Sequence, residues 1–267
     1  MEKLIEIFNS IKTVHPYVHH ITNGVTMTDC ANITLAAGGS PAMAHSIHEV
    51  ADMVANMHAL VLNTGTPDEF QLEAMLIAGK KANELGIPIV LDPVAVGATP
   101  YRKKINAQLM EEINFTVIRG NASEIMTLTG VSSGRGVDAM GDVGFDEEKV
   151  MALAHLKKTV IAASGAVDFI TDGKQKAYCH NGIPMLSEIT GTGCMSASVM
   201  GVCISASDDT FESVLLAAVM MGLAGEVAFA EVEKKRQLGT FHMKLLDAMS
   251  SMTAIQLQTG GNVSYER

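Results

Sequence analysis

The chain has 267 residues, 48% apolar and 18% charged, with 19 basic against 29 acidic side chains and a formal charge of −10. That length and apolar share support one large core, and no Ser/Pro-rich linker divides it, so a single α/β domain over 1–267 is expected. The basic residues are scattered except at Lys234-Lys-Arg236, read as a solvated run, which argues against nucleic acid as a partner.

The opening Met1-Glu-Lys-Leu-Ile-Glu-Ile-Phe interleaves apolar residues with charges and reads as neither a signal peptide nor a membrane span, so a cytoplasmic protein is expected. Cys30, Cys179, Cys194 and Cys203 are widely spaced and form no C-x-x-C pair. Neither a zinc site nor a disulfide framework follows from them.

The first predicted element is an amphipathic helix carried by Leu4, Ile5, Phe8 and Ile11, ending before His15-Pro16. His15, His19 and His20 fit no standard ligand spacing, and no metal is assigned to them. Thr22-Asn-Gly-Val25 is a turn leading into a small-residue helix through Cys30, Ile33 and Leu35. Asn23 is there either a turn residue or a donor and acceptor at a strand-to-helix corner. Gly38 to Met43 is a second break, bringing a backbone and a thioether near the same region; Met43 alone reads as core.

Leu60-Val-Leu-Asn is a short buried strand. Thr66-Pro-Asp-Glu69 reads as a helix start with Thr66 as N-cap and Glu69 closing a capping box, the helix running to Gly86. Ile87 to Asp92 is an apolar run ending in a carboxylate, the form in which a buried parallel strand presents a functional Asp at its carboxyl edge. A helix to about Ile113, a strand Thr116 to Arg119 and a helix opened by Gly120-Asn-Ala-Ser-Glu124 repeat the pattern. Glu124 is either a cap and dipole partner or, with Asp92, an oxygen ligand for Mg2+.

Gly130 to Phe145 reads as a long loop that could cover a site. A helix from Glu147 to Lys157 leads into a strand ending at Ser164-Gly165, and Asp172-Gly173 marks a hairpin on an antiparallel edge. Glu188 to Gly201 is the most informative stretch: Thr190-Gly-Thr-Gly-Cys194 is a Gly-rich turn opening directly into a helix. The N–H groups of residues 192 to 195 are expected to face an anion there, with the helix dipole behind them. Cys194, on the first turn, is expected to have a lowered pKa and to serve as base or nucleophile; the alternative is a small buried hydrophobe. The remainder is expected to be helical, over 194–205, 211–233 and about 241–256. The apolar run Val214 to Gly225 within it reads as too short for a membrane span.

Strands alternating with helices, then a hairpin, indicate a mainly parallel α/β sandwich. Neither Gly79-Lys80 nor Gly173-Lys174 is followed by Ser or Thr, so no P-loop is present, and no G-x-G-x-x-G opens a helix after the first strand.

The segments Thr22-Asn-Gly-Val25, Ser40-Pro-Ala-Met43, Asn63-Thr-Gly-Thr66, Leu91-Asp-Pro-Val94, Arg119 to Glu124, Ser164-Gly165 and Thr190 to Cys194 occur in this order along nearly the whole chain. In this the chain resembles the hydroxyethylthiazole kinase family of the ribokinase-like superfamily. The resemblance implies a ribokinase-like three-layer sandwich with helices on both faces of a mainly parallel sheet. It implies ATP- and Mg2+-dependent phosphorylation of 4-methyl-5-(2-hydroxyethyl)thiazole on its primary alcohol, a step towards thiamine. Asn23, Val25, Met43, Gly65 and Gly191 would line the alcohol pocket, and Arg119 and Ser164 would contact ATP. Asp92 and Glu124 would organise Mg2+, and Thr192, Gly193 and Cys194 would form the anion hole. Cys194 stands where the wider superfamily has its catalytic Asp. Two positions depart from common family residues: Ala42, where a bulkier aliphatic is frequent, and Ser164, where Thr is. A homotrimer with active sites at subunit interfaces is implied as well. The alternatives are a sibling kinase acting on a hydroxymethylpyrimidine and a non-catalytic nucleotide-binding sensor of the same fold.

Overall fold

The computed structural model describes residues 1–130, 144–232 and 237–266. Most of the 130–145 loop and all of Lys234-Lys-Arg236 lie outside the described residues. In chain order the elements are α1 (Glu2–Val14), β1 (Tyr17–Ile21), α2 (Met27–Ala36), β2 (Ser40–Ala42), α3 (Val50–Val54), β3 (Ala59–Asn63), α4 (Glu69–Leu85) and β4 (Ile89–Asp92). There follow α5 (Pro100–Glu112), β5 (Val117–Asn121), α6 (Ala122–Leu128), α7 (Glu147–Lys157), β6 (Val160–Ser164), β7 (Asp168–Thr171) and β8 (Lys176–Cys179). A short 3-10 turn (Pro184–Glu188) precedes α8 (Thr192–Ile204), α9 (Thr210–Ala230), α10 (Leu238–Ser250), α11 (Ala254–Gly260) and β9 (Val263–Glu266).

Among the described residues, nine strands form one sheet in the order β2-β1-β3-β4-β5-β6-β7-β8-β9. Pairings from β2 through β6 are parallel, and the last three strands pair antiparallel. Successive residues of a strand face opposite sides, so each buried strand feeds two cores. Val18, Val61, Val90 and Val117 face a core shared with α1, α2, α8, α9 and α10, while Leu60, Leu62, Ile89, Leu91 and Ile118 face another shared with α3 to α7. These are the three layers of the expected sandwich.

Several local expectations are corrected. The N-cap of α4 is Asp68, whose side chain accepts from the Gln71 N–H, two residues after Thr66. An Asp at this position satisfies an orphan amide and its charge suits the dipole, worth about 1 kcal/mol, while the Thr66 hydroxyl accepts instead from the Gly24 N–H at 3.2 Å. The break at 38–43 contains the edge strand β2, which is too short to show an alternating pattern. The C-terminal stretch is not all helix, since β9 closes the sheet against β8. Leu35 is 57% exposed. Helix α9 runs 21 residues, long and apolar enough by length and composition to cross a membrane, but 78% of that window is buried in the fold. The α8 and α9 pair thus forms the centre of one core layer.

Candidate active site

The parallel register sets the site. Asn63 and Asp92 end neighbouring strands and pair directly, as do Asn121 and Ser164 on β5 and β6. Asn23 follows β1, and Arg119 lies two residues before the end of β5. Ligands of open α/β sheets bind at this carboxyl edge.

Four side chains interlock there, all buried. Asn23 Nδ2 donates to Asn63 Oδ1 at 2.9 Å and lies 3.4 Å from Cys194 Sγ. Asn63 Nδ2 donates to Asp92 Oδ2 and lies 3.2 Å from the same sulfur. Asn23 Oδ1 accepts from the Val25 and Thr26 amides, both at 3.0 Å, which fixes the corner into α2. Both readings of Asn23 therefore hold: it builds the turn and it faces the site. Asn63 is the hub that sequence reasoning leaves out of the candidate set. Its strand-end position beside a Thr-Gly turn is the signal that could have found it.

Helix α8 begins as expected from its glycines, with one correction. Gly191 caps the helix at φ 97°, in the left-handed region that favours glycine. The Met195 N–H closes on the Gly191 carbonyl at 2.8 Å, so the first-turn amides left over are those of Thr192, Gly193 and Cys194, and residue 195 does not belong to the anion hole. The Thr192 hydroxyl donates to the Leu186 carbonyl, tying down the turn that precedes the helix. Arg119 reaches the helix start and donates from Nη2 to Ser164 Oγ at 2.9 Å. Its buried Nε has no hydrogen-bond partner among the described residues. A cation and a set of oriented amides thus face one space, an arrangement that stabilises phosphate oxygens.

The electrostatics change the expectation for Cys194. Burial pushes its thiol up to about 12, and the nearby Asp92 adds to the rise. The helix start does not produce a resting thiolate here, because the sulfur is desolvated and has a carboxylate beside it. Burial also pushes the Asp92 carboxyl up to about 7, with Arg119, Cys194 and Asn63 opposing and Glu124 adding. Asp92 Oδ1 is a buried oxygen with no hydrogen-bond partner among the described residues. Glu124 is engaged differently: Oε1 accepts from the Ala95 N–H at 2.7 Å and Oε2 from the Asn121 N–H at 2.8 Å. With Asn121 it completes a capping box at α6, so the capping alternative is realised.

The remaining candidates divide. Gly65 is pressed against Asn23, where a Cβ would stand 2.8 Å from the Asn23 side chain, so the close approach requires glycine. Val25 is 67% exposed and Met43 follows the edge strand β2; neither is tied into the network by its side chain.

The α/β sandwich, with an arginine, a strand-end carboxylate and a Gly-x-Gly helix start at one edge of its sheet, has the layout of a ribokinase-like kinase. The fold likeness extends to the Staphylococcus aureus pyridoxal kinase solved with pyridoxal, at a TM-score of 0.60 and 13% identity over 84% of this chain and 90% of that one. The hydroxyethylthiazole kinase family model matches residues 8–255. A hydroxyethylthiazole kinase of Alkaliphilus metalliredigens (strain QYMF) is 43% identical over 99% of this chain and 98% of its own length. The solved hydroxyethylthiazole kinase from Pyrococcus horikoshii OT3 superposes with a TM-score of 0.89 at 34% identity, covering both chains fully. The chain belongs to the hydroxyethylthiazole kinase family.

Proposed function

We propose that the chain transfers the terminal phosphoryl group of ATP to the primary alcohol of 4-methyl-5-(2-hydroxyethyl)thiazole, a salvage step towards thiamine, with Cys194 as the group that meets the alcohol. The observation that carries this reading is the position of Cys194 Sγ. It sits at the head of α8, within 3.4 Å of Asn23 and 3.2 Å of Asn63, on a helix start that also faces Arg119.

Phosphoryl transfer asks for positioning and charge neutralisation more than for covalent chemistry. Arg119 and Ser164 hold the phosphates, and the Thr192, Gly193 and Cys194 amides stabilise charge on the group in transit. The alcohol lies against Asn23, Gly65 and Gly191, its oxygen at Cys194. As the new O–P bond forms, the alcohol proton passes to Sγ and the thiol's own proton passes to the Asp92 carboxylate, leaving the cysteine unchanged. Burial raises the Asp92 carboxyl and makes it the better acceptor, while the thiol, itself raised by burial, releases its proton only as the alcohol proton arrives.

The donor set suits Mg2+. A buried unpartnered carboxylate oxygen on Asp92 and the nearby Glu124 offer hard ligands. Among the described residues no cluster of three or more His, Cys, Asp or Glu forms a closed cage. Mg2+ needs none, since it takes one or two carboxylates together with phosphates and water. Asp92 and Glu124 would hold it, and when bound it would neutralise phosphate charge.

The family resemblance carries a homotrimer with the pocket completed between subunits, in which Val25, exposed in the single chain, would be covered. A cytoplasmic metabolic enzyme is the setting in which ATP and a free thiazole alcohol meet. Incubating the protein with ATP, Mg2+ and a panel of primary alcohols tests the assignment by mass spectrometry. Phosphorylated hydroxyethylthiazole is expected; phosphorylation of a hydroxymethylpyrimidine alone, or no ADP release, would sink it.

A further inference from the structure

Arg102 stands in the first turn of α5, outside every group described above. Its Nη1 donates to the Thr64 carbonyl at 2.7 Å and to the Val94 carbonyl at 2.9 Å, and its Nη2 donates to the Gly65 carbonyl at 2.7 Å. Thr64 and Gly65 directly follow Asn63 on the loop leaving β3, and Val94 lies two residues beyond Asp92 on the loop leaving β4. One cation therefore joins the two loops that carry the alcohol side and the carboxylate side of the site.

Both peptide groups of Gly65 are held. The Thr64–Gly65 peptide has its carbonyl on Arg102 and its N–H on Asn63 Oδ1 at 2.9 Å, and the Gly65–Thr66 peptide has its carbonyl on Arg102. On its other side Gly65 meets Asn23. One turn further along α5, Asn106 donates to the Arg102 carbonyl at 2.9 Å and pairs with the Thr64 hydroxyl at 3.3 Å, so the clamp is itself braced. Three carbonyl dipoles pointing at one place repel each other unless a cation with several fixed donors lies between them. A planar guanidinium supplies these, whereas an ammonium is a single point charge.

We propose that Arg102 is a positioning residue for phosphoryl transfer: it sets the register of the alcohol-binding loop against the Asp92 loop without touching either substrate. The proposal rests on the reading that Gly65 lines the alcohol pocket. An ångström of misplacement costs up to about 10²-fold in rate, which is the size of effect a lost clamp produces.

The test compares Arg102→Lys and Arg102→Ala in the full chain. Alcohol and ATP are varied separately, circular dichroism and thermal melting are followed alongside, and guanidinium ion is added at concentrations well below denaturing. Both variants are expected to stay folded, with the alcohol KM raised on the order of 10-fold and kcat lowered by a similar factor. The ATP KM should stay near wild type, and guanidinium should partly restore the Ala variant. Should Arg102→Ala not fold, Arg102→Lys, which keeps the charge, carries the same comparison. A lowered Tm with unchanged kcat and alcohol KM would make Arg102 purely structural and overturn the proposal. Gly65→Ala is run in parallel. An unchanged alcohol KM there would remove Gly65 from the pocket, a failure of the site reading that the Arg102 variants register separately.

Discussion

Gly193 lies so close to the Arg119 guanidinium that a Cβ built on it would stand 2.6 Å from Nη1. The glycine is there to let a cation lie on the first turn of a helix, so that amides and charge act on the same phosphate. Gly193→Ala is therefore expected to displace the guanidinium at little cost in stability, since the far end of a long side chain can move. Its effect should appear as a raised ATP KM and a kcat lowered on the order of 10- to 10²-fold, with the alcohol KM nearly unchanged. Steady-state kinetics with each substrate varied in turn checks this.

Asp92 carries a stability cost that its replacement should relieve. Its folded carboxyl, pushed up to about 7 from an ordinary 3.8, is a group whose pKa rises on folding. Its contribution is present in full below the unfolded value and is lost as pH rises through the folded one. Asp92→Asn stays neutral, so the substrate-free variant should melt higher than wild type at pH 8, with the difference shrinking as pH falls towards 4. A tenfold change in proton affinity is worth about 1.4 kcal/mol, so the gain is on the order of a few kcal/mol, obtained with nearly complete loss of activity. Equal melting curves at pH 8 would contradict it.

For Glu124 two roles overlap, because its oxygens accept from the Ala95 and Asn121 amides while it faces the proposed metal position. In Glu124→Gln one oxygen becomes an NH2 that cannot accept, leaving one of those N–H groups without its partner at a cost of about 1–3 kcal/mol. The Mg2+ concentration for half-maximal rate should rise and turnover should fall. An Mg2+ titration curve that matches wild type would confine Glu124 to its cap.

Periodicity and turn residues are enough to locate the alternating strands and helices, the Asp172-Gly173 hairpin and the Gly-rich start of α8, since each of these is a local signal. The misses have physical reasons. β2 is three residues long, and β9 alternates over only four residues with no buried face, so neither offers a run long enough to read. Thr66-Pro-Asp satisfies the rule for a helix start one cap too early, because Asp68 competes for the same role. In the site, Asn63 and Arg102 are not legible because their importance lies in partners 29 to 131 residues away for Asn63 and 37 residues away for the Arg102 contact to Gly65. The pKa of Cys194 goes the other way because its sequence neighbours announce a helix start, whereas desolvation and Asp92 come from the tertiary fold.

The trimer is tested by light scattering. From the homotrimer that the family resemblance implies, a species of three chains is expected, with activity declining in step with dissociation on dilution. A fully active monomer would refute pocket sharing.

The central claim is that Cys194 receives the alcohol's proton and passes its own to Asp92. The measurement that tests it most directly is the pH profile of kcat/KM for wild type and Cys194→Ala. The account predicts an acidic limb in wild type as the Asp92 carboxyl, which burial raises, takes up its proton. In Cys194→Ala it predicts a loss on the order of 10²- to 10⁴-fold, the range proton transfer typically supplies, with only the weaker limb that Mg2+ binding at Asp92 leaves. A variant that keeps near-full kcat/KM with the same limb would contradict the account and place Cys194 in the pocket wall.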